Sequence, residues 1–263
     1  MSKSKNKIKR YKALISKINN WPDYLWKKIT GFDKEFVFDV KNFGKVKVPR
    51  NMLGPFRENF LDDIYLRNIP ADILNDKKEP VVLDIGANVG YFSLAIFANY
   101  PTARVYSFEP HPYCFKVLED YKKQYQNLDF NTVEKAVSDT NQEIPLFISK
   151  DKDFTTTSSI FDSANKDTKK IMAKAVKLED FIHEEGLDQI DLLKLDCEGS
   201  EYAILYNLSE QTFEKITALT IETHRGEEDK QHIEALNKYI EGKGYKTISL
   251  DEGYTGYIWA WKN

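Results

Sequence analysis

"VVLDIGANVGYF", residues 81–92, is the stretch of sequence that decides the fold. An apolar run ends in the carboxylate of Asp84, glycines follow at positions 86 and 90, and a second apolar run begins at Tyr91. This order is typical of a β-strand that enters an α-helix through a ligand-binding loop. The first question that the sequence raises is therefore which ligand this loop receives.

The same alternation of strand and helix continues after residue 80. It predicts an α/β fold, a doubly wound and mostly parallel sheet with helices on both faces. Strands are predicted at 81–85, 104–108, 130–136, 190–195, 216–222, 245–250 and 256–261, and helices at 90–99, 111–126, 178–185, 200–208 and 229–242. Two additional strands are predicted at 143–149 and 171–178. Only a short turn separates the last two strands of the main series, so we expect an antiparallel hairpin at the sheet edge.

The chain before this alternation is predicted to be a separate extension. We place the extension at residues 1–75 and the main domain at residues 76–263. The elements predicted in the extension are two short amphipathic helices within 8–29, a hairpin of strands 35–40 and 44–49, and a helix from Glu58 to Ile69.

Positive charge is concentrated at the start of the chain. Residues 1–28 hold nine Lys or Arg and one acid, so a net charge of −3 for the whole chain leaves −11 for the rest. This acidic main body argues against a nucleic-acid groove. The basic N-terminal helices are predicted either to pack on the protein's own body or to contact an anionic membrane or a partner.

The sequence predicts a cytoplasmic protein. Two cysteines, Cys114 and Cys197, are too few for a disulfide framework and fit a reducing compartment. No apolar stretch approaches the roughly 20 residues of a membrane-spanning helix. The basic start also lacks the apolar core and the cleavage site of a secretory signal.

The glycine loop is a poor match to the known phosphate-binding loops. A P-loop needs a second glycine followed by lysine five residues after the first, and Tyr91 stands five residues after Gly86. The dinucleotide fingerprint Gly-x-Gly-x-x-Gly would require glycines where this chain has Asn88 and Tyr91. An NAD-dependent oxidoreductase therefore stays as an alternative that the loop disfavours.

A cationic ligand suits the loop better. Asp84 is expected to point from the end of its strand into the crevice, where a carboxylate would repel a phosphate. S-adenosylmethionine carries an ammonium and a sulfonium and no phosphate. Gly86 and Gly90 let the backbone approach a ligand closely. The next strand ends in Glu109, whose carboxylate can accept two hydrogen bonds from a ribose diol.

Acidic residues end four of the predicted parallel strands: Asp84, Glu109, Asp196 and Glu222. Strand ends of a parallel sheet share one edge, so these groups are expected to converge on one crevice, the usual place of an active site. His224 is the best candidate for a general base, with a neighbouring carboxylate to orient it. Two alternatives stay open: a surface histidine, or a divalent cation such as Mg²⁺ held by Asp196, Glu222 and His224.

Asp196 and Glu198 also follow the apolar strand 190–195 directly and are expected on the rim of the same crevice. The next two polar residues, Ser200 and Glu201, have a simpler explanation. Ser200 would cap the helix that follows, and Glu201 would favour the positive end of that helix.

The motifs taken together resemble a known family. "DIGANVGYFSL", "SFEPHP", "EKAVSD", "VKLEDFI", "DLLKLDCEGSEYAIL" and "IETH" occur in this order, over about two-thirds of the chain. Their combination resembles the FkbM family of S-adenosylmethionine-dependent O-methyltransferases. The resemblance implies a seven-stranded Rossmann-like sheet with a final antiparallel hairpin, and methyl transfer to a hydroxyl. Asn88 replaces the central glycine of the broader methyltransferase loop, as is usual in the family.

The resemblance also implies roles for particular residues. Those implied to hold the cofactor are Asp84, Gly86, Asn88, Gly90, Tyr91 and Glu109, with Ala136 to Ser138, including Val137, beside the adenine. Asp196 would face the methionine end of the cofactor or the acceptor, and the catalytic candidates are His224, Asp196, Glu222 and Glu198. Sugars, glycans and natural products are among the acceptors that the family implies.

Residues 1–75 lie outside the resemblance. We expect them to cap the crevice together with the loop at 150–167, and so to select the acceptor. The aromatic residues Tyr91, Phe154 and Phe161 are candidates to stack on a sugar. A noncatalytic module that binds a cofactor or docks on a membrane through the basic N-terminus is a further alternative.

Overall fold

The computed structural model describes residues 3–149 and 168–262. Its helices are α1 Lys3–Lys17, α2 Trp21–Thr30, α3 Leu53–Phe60, α4 Asp72–Asn75, α5 Tyr91–Asn99, α6 Pro112–Gln124, α7 Leu178–Glu184, α8 Glu201–Tyr206, α9 Glu210–Lys215 and α10 Ile233–Gly242. Its strands are β1 Glu35–Val40, β2 Gly44–Pro49, β3 Val81–Ile85, β4 Arg104–Phe108, β5 Asp129–Val133, β6 Ala136–Ser138, β7 Ile144–Ser149, β8 Thr168–Ala173, β9 Ala175–Lys177, β10 Ile190–Leu195, β11 Ile216–His224, β12 Lys246–Asp251 and β13 Thr255–Trp261.

A seven-stranded sheet forms the centre of the molecule. Its strand order is β12-β13-β11-β10-β3-β4-β5, and β13 is antiparallel to both of its neighbours. The remaining neighbours pair in parallel. The predicted α/β class, the seven strands and the C-terminal hairpin at the sheet edge are confirmed. The chain moves outward from β3 to β5 and then returns to β10, so the switch point of the sheet lies between β3 and β10, where such folds bind ligands.

The central strands β3, β4, β10 and β11 are buried on both faces because they are almost continuous apolar runs. Every residue of β10, "IDLLKL", is buried. Alternate side chains enter two separate cores. Val82 and Leu192 belong to a core with α5, α6 and the N-terminal elements, whereas Leu83 and Leu193 belong to a core with α7 to α10.

The N-terminal elements share a core with the sheet. Two helices and the β1–β2 hairpin occur as predicted. The rings of Phe38 in β1 and Phe56 in α3 stack with centroids 4.0 Å apart, and Phe56 meets the edge of Tyr91 in α5 at 5.7 Å. Trp259 of β13 donates its indole hydrogen bond to the carbonyl oxygen of Ile64 at 2.9 Å. The division into two domains at residue 75 stays a prediction.

The predicted helix from Glu58 to Ile69 is wrong. The helix in this region, α3, begins at Leu53 and ends at Phe60, and turns follow it. Asp63 has a left-handed backbone with φ of +47°, which an α-helix does not accommodate. The apolar spacing in this segment therefore reflects packing of successive turns.

Two predicted strands are each divided in the structure. The prediction for 130–136 becomes β5 and β6, and β6 leaves the main sheet to pair with β9. The prediction for 171–178 becomes β8 and β9, separated by Lys174. The loop at 150–167, with Phe154 and Phe161, lies outside the described residues. Within the described ranges, none of the helices has the length and apolar composition needed to cross a membrane.

Candidate active site

The backbone of the glycine loop packs directly against the backbone at the end of β10. Gly86 has φ of +75°, and a Cβ atom placed on it would lie 1.8 Å from the carbonyl oxygen of Asp196. Only glycine fits this position, because any side chain would collide with backbone that cannot rotate away. The contact joins the exits of β3 and β10 at the switch point of the sheet.

Asp84 lies beneath the loop and does not face the crevice. The register of β3 and β10 places Lys194 beside Asp84, and Lys194 Nζ lies 3.1 Å from Asp84 Oδ1. The other carboxylate oxygen accepts a hydrogen bond from Ser93 Oγ at 2.6 Å. Asp84 is fully buried and lines neither of the cavities described below. Asp84 therefore pairs with an internal ammonium and does not point into either cavity as expected, and its contact with the cofactor stays a prediction.

Lys194 connects this buried acid to the loop. Its ammonium donates a hydrogen bond to the carbonyl oxygen of Gly86 at 2.8 Å and lies 3.6 Å from Asp196 Oδ2. Burial opposes the charge of Lys194, but the carboxylates of Asp84 and Asp196 outweigh burial, so the pKa of Lys194 is raised above its usual value. The ammonium therefore holds the two strand exits at a fixed separation.

Most of the expected cofactor residues line one cavity, which we call the loop cavity. Its lining includes Gly86, Asn88, Glu109, Ala136, Val137 and Asp196. Two other expected residues lie elsewhere. Gly90 is the N-cap residue just before α5, and a Cβ atom on it would lie 2.5 Å from Leu118 of α6. Tyr91 is buried, packs on Phe56 and borders a different cavity, because the first turn of α5 faces the N-terminal core.

Glu109 is positioned by the backbone on both sides of it. Its two carboxylate oxygens accept hydrogen bonds from the amides of Asn88 and His111, each at 2.7 Å. Burial raises the pKa of Glu109 to about 7. Each oxygen keeps a second lone pair, so the carboxylate can still accept a hydrogen bond from a ligand.

A second cavity, which we call the acid cavity, lies next to the loop cavity. Its lining includes Tyr65, Lys194, Asp196, Glu198, Glu222 and His224. The two cavities share Gly86, Asn88, Asp196 and Glu198. The predicted convergence of strand-end acids thus holds for Glu109, Asp196 and Glu222, distributed between two adjoining cavities.

Tyr65 bridges two acids of the acid cavity. Its phenolic oxygen lies 2.8 Å from Asp196 Oδ2 and 2.7 Å from Glu222 Oε2. A phenol has one proton, so a proton on one of the carboxyl groups would strengthen the second short contact. Glu222 fits that role, because burial and the charge of Asp196 raise its pKa to about 7. Glu222 therefore takes up a proton at a higher pH than an ordinary carboxyl group.

Glu201 orients His224. The Nδ1 atom of His224 lies 2.8 Å from Glu201 Oε1, and Glu201 is completely buried. Burial disfavours the imidazolium, but the hydrogen bond and the charge of Glu201 outweigh burial and raise the pKa of His224 to about 9. Ser200 and Glu201 stand at the start of α8 as predicted, and Glu201 accepts a hydrogen bond from the amide of Cys197 at 3.3 Å, but that role alone does not account for the two residues. Ser200 makes no side-chain capping bond to α8, and Glu201 points at a histidine from another element.

The other nitrogen of the imidazole is available to the cavity. His224 Nε2 lies 3.5 Å from Glu198 Oε2. Glu198 has a left-handed backbone with φ of +53°, and burial raises its pKa to about 7. Strain of this kind in a residue other than glycine is common at functional sites. One ligand atom each from Asp196, Glu222 and His224 also lies within 4.8 Å of the others.

Sequence patterns did not identify two residues of this site, Tyr65 and Glu201. Tyr65 stands 131 residues before Asp196, and no local sequence pattern predicts the hydrogen bond between them. Glu201 had one usable signal: it stands at the start of a helix whose N-terminus must face the same sheet edge as the strand-end acids.

The sheet order and the loop cavity at the switch point define a Rossmann-like α/β protein with a cofactor loop after its first central strand. The model of the Methyltransferase FkbM domain matches residues 84–247. The chain belongs to the FkbM family and is an S-adenosylmethionine-dependent methyltransferase. The N-terminal elements and Tyr65 stand outside the matched range.

Three relatives illustrate the range of the family. Methyltransferase sdnD of Sordaria araneosa is 28% identical, covering 72% of this chain and 80% of that protein. The 31-O-demethyl-FK506 methyltransferase FkbM of Streptomyces tacrolimicus is 26% identical, covering 74% of this chain and 82% of that protein. The 2-O-methyltransferase NoeI of Sinorhizobium fredii is 28% identical, covering 50% of this chain and 58% of that protein.

Proposed function

We propose that this protein transfers the methyl group of S-adenosylmethionine to a hydroxyl group of a sugar, a glycan or a natural product. The observation that carries the proposal is the junction of the two cavities at Gly86, Asn88, Asp196 and Glu198. One cavity can hold a methyl donor while the other holds an acceptor, and the reacting atoms then meet at the junction.

The loop cavity has the donor groups and acceptor groups that the cofactor needs. Glu109 would accept hydrogen bonds from the ribose hydroxyls, and Ala136 and Val137 would lie against the adenine. Asp196 and Glu198 would face the cationic methionine end at the junction. The cofactor supplies an electrophilic methyl group that leaves a neutral thioether after transfer.

The acid cavity has the groups that a hydroxyl acceptor needs. The hydroxyl must point at the methyl carbon in line with the bond that breaks, so much of the rate comes from positioning. His224 Nε2 would accept the hydroxyl proton while the charge of Glu201 stabilises the resulting imidazolium. The carboxyl groups of Asp196, Glu198 and Glu222 can accept hydrogen bonds from further acceptor hydroxyls.

The names of two relatives support a hydroxyl acceptor. One is a 31-O-demethyl-FK506 methyltransferase and the other a 2-O-methyltransferase. Both names specify transfer to oxygen, and a histidine–carboxylate pair in the acid cavity suits deprotonation of a hydroxyl.

Calorimetry with S-adenosylmethionine and with NAD tests the donor assignment. We expect S-adenosylmethionine to bind and NAD not to bind. Glu109→Ala should weaken S-adenosylmethionine binding by at least about tenfold, because hydrogen bonds to a charged acceptor are lost. Glu214→Ala, at an exposed position in α9, is the matched control and should bind like the unmodified protein. Binding of NAD in place of S-adenosylmethionine would overturn the proposal.

A metal-assisted version of the same reaction is the second candidate. Asp196, Glu222 and His224 could hold a divalent cation such as Mg²⁺, which would acidify the acceptor hydroxyl. Their present partners argue against it, because Tyr65 bridges Asp196 and Glu222, and the ammonium of Lys194 lies 3.6 Å from Asp196.

Chelation distinguishes the two versions. We expect methyl transfer to a pool of hydroxylated glycans to continue at full rate in excess EDTA. Readdition of Mg²⁺ controls for inhibition by the chelator itself. Loss of activity in EDTA that Mg²⁺ restores would establish the metal version and remove His224 as the base.

A further inference from the structure

The two N-terminal helices carry an apolar surface that the fold does not use. Its members are Ile8, Tyr11 and Ile15 of α1 and Trp26 and Ile29 of α2, whose exposed fractions are 57%, 42%, 47%, 66% and 82%. Their spacings of three, four and seven residues place the members of each helix on one side of that helix. We call these five side chains the outer face.

The two halves of the outer face adjoin one another. Lys28 Nζ of α2 donates a hydrogen bond to the phenolic oxygen of Tyr11 at 3.2 Å and lies 5.3 Å from the centre of its ring. The surface is therefore continuous across both helices.

The opposite side of the same helices attaches them to the body of the protein. Leu14 and Ile18 are buried in the core that the sheet shares. Arg10 forms a bidentate ion pair with Asp62 through Nε and Nη2. Lys17 Nζ lies 2.7 Å from Asp63 Oδ1. The attachment of the helices to the body of the protein thus uses residues outside the outer face.

A group of exposed lysines belongs to the two helices that carry the outer face or contacts them. Its members are Lys7, Lys9, Lys12, Lys28 and Lys41, and all five are exposed. Over the described residues, none of the five forms an ion pair with an acid, whereas Arg10 and Lys17 on the inner side do. Lys41 also donates to the carbonyl oxygen of Ile15 at 2.9 Å, which keeps its charge next to the apolar surface.

We propose that the outer face docks the protein on an anionic lipid bilayer, with α1 and α2 lying in the interfacial plane. Aliphatic and indole side chains would enter the boundary between headgroups and acyl chains, and the lysines would pair with anionic headgroups. A second copy of the chain is a poor occupant, because two faces of the same positive charge would repel. The proposal does not depend on which acceptor is methylated.

Sedimentation with lipid vesicles tests this proposal on the full chain. We expect binding to vesicles that contain phosphatidylserine and little binding to phosphatidylcholine vesicles. Added salt should weaken the binding, because it screens charges at the surface. The double variant Lys9→Gln/Lys12→Gln should lose affinity by about fivefold per lysine.

A matched pair of variants tests how much the apolar side chains of the outer face contribute to vesicle binding. Trp26→Ser/Ile29→Ser should lower the partition coefficient by at least about tenfold, since it removes two inserted side chains. Ile248→Ser/Leu250→Ser removes two exposed apolar residues from β12, outside the outer face, and should bind vesicles normally. Calorimetry with S-adenosylmethionine on each variant verifies that the fold is retained.

Three outcomes would overturn the proposal. The first is an absence of vesicle binding at low salt, and the second is equal binding to vesicles with and without phosphatidylserine. The third is normal vesicle binding by Trp26→Ser/Ile29→Ser. Concentration-dependent dimers in light scattering that Trp26→Ser/Ile29→Ser abolishes, without vesicle binding, would assign the outer face to a second copy.

Discussion

His224→Ala is expected to lower the turnover number by about 10²–10⁴-fold while the affinity for S-adenosylmethionine stays nearly the same. The imidazole lies in the acid cavity, outside the loop cavity, so its removal should affect proton transfer and leave the cofactor groups in place. Calorimetry and a single-turnover methyl-transfer assay measure the two quantities separately. His183→Ala, at an exposed position of α7, is the matched control.

The pH dependence distinguishes a general base from a histidine that only supports the structure. With a pKa of about 9, His224 is an imidazolium at neutral pH and cannot accept a proton. The value of kcat/KM should therefore rise with pH until about 9. Glu201→Gln removes the charge that stabilises the imidazolium, so the same rise should move to lower pH. An unchanged profile in Glu201→Gln, or normal turnover in His224→Ala, would remove the pair from the mechanism.

Lys194→Met is expected to lower the free energy of unfolding by about 3–5 kcal/mol, the usual penalty for removing one partner of a buried ion pair. Asp84 would remain fully buried without its ammonium, and the hydrogen bond to the carbonyl oxygen of Gly86 would be lost. Urea unfolding followed by circular dichroism gives the difference. Lys116→Met, which removes an exposed pair with Asp120, should change stability by less than about 1 kcal/mol.

The double variant Asp84→Asn/Lys194→Met distinguishes charge from packing. If the penalty comes from an unpaired buried carboxylate, the double variant should be more stable than Lys194→Met alone. A double variant as unstable as the sum of the two single variants would mean that the ion pair does not account for the loss.

The fold could be predicted from the sequence because each central strand is recognisable from its own residues. "VVLDI" and "IDLLKL" are apolar runs bounded by acids and glycines, and such runs are typical of strands buried on both faces. The segment from Glu58 to Ile69 misled the prediction, because residues in successive turns that pack on one core can repeat at helical spacing. The left-handed backbone of Asp63 excludes a helix there, and its residue type is only a weak signal, because aspartate adopts this conformation more often than most residues but is also common in helices.

The candidate site could be predicted only in its outline. Strand-end acids were identified because the ends of parallel strands share an edge. The direction of Asp84 depends on its register with Lys194, which is a relation between two strands and is not visible in either one. The contact of Tyr65 with Glu222 spans 157 residues, and a local pattern cannot encode it.

The position of β13 has a consequence for the order in which the protein can fold. This strand follows every other strand of the sheet along the chain, yet it lies between β11 and β12. A nascent chain that has not reached residue 255 consequently has an unpaired edge on β11 and no partner for β12, and such edges invite association with other chains. Trp259, which bonds to the segment beside Tyr65, arrives with the same strand. The crevice therefore assembles only after β13 has been made, and termination near residue 250 would leave an aggregation-prone intermediate with the other six sheet strands already made.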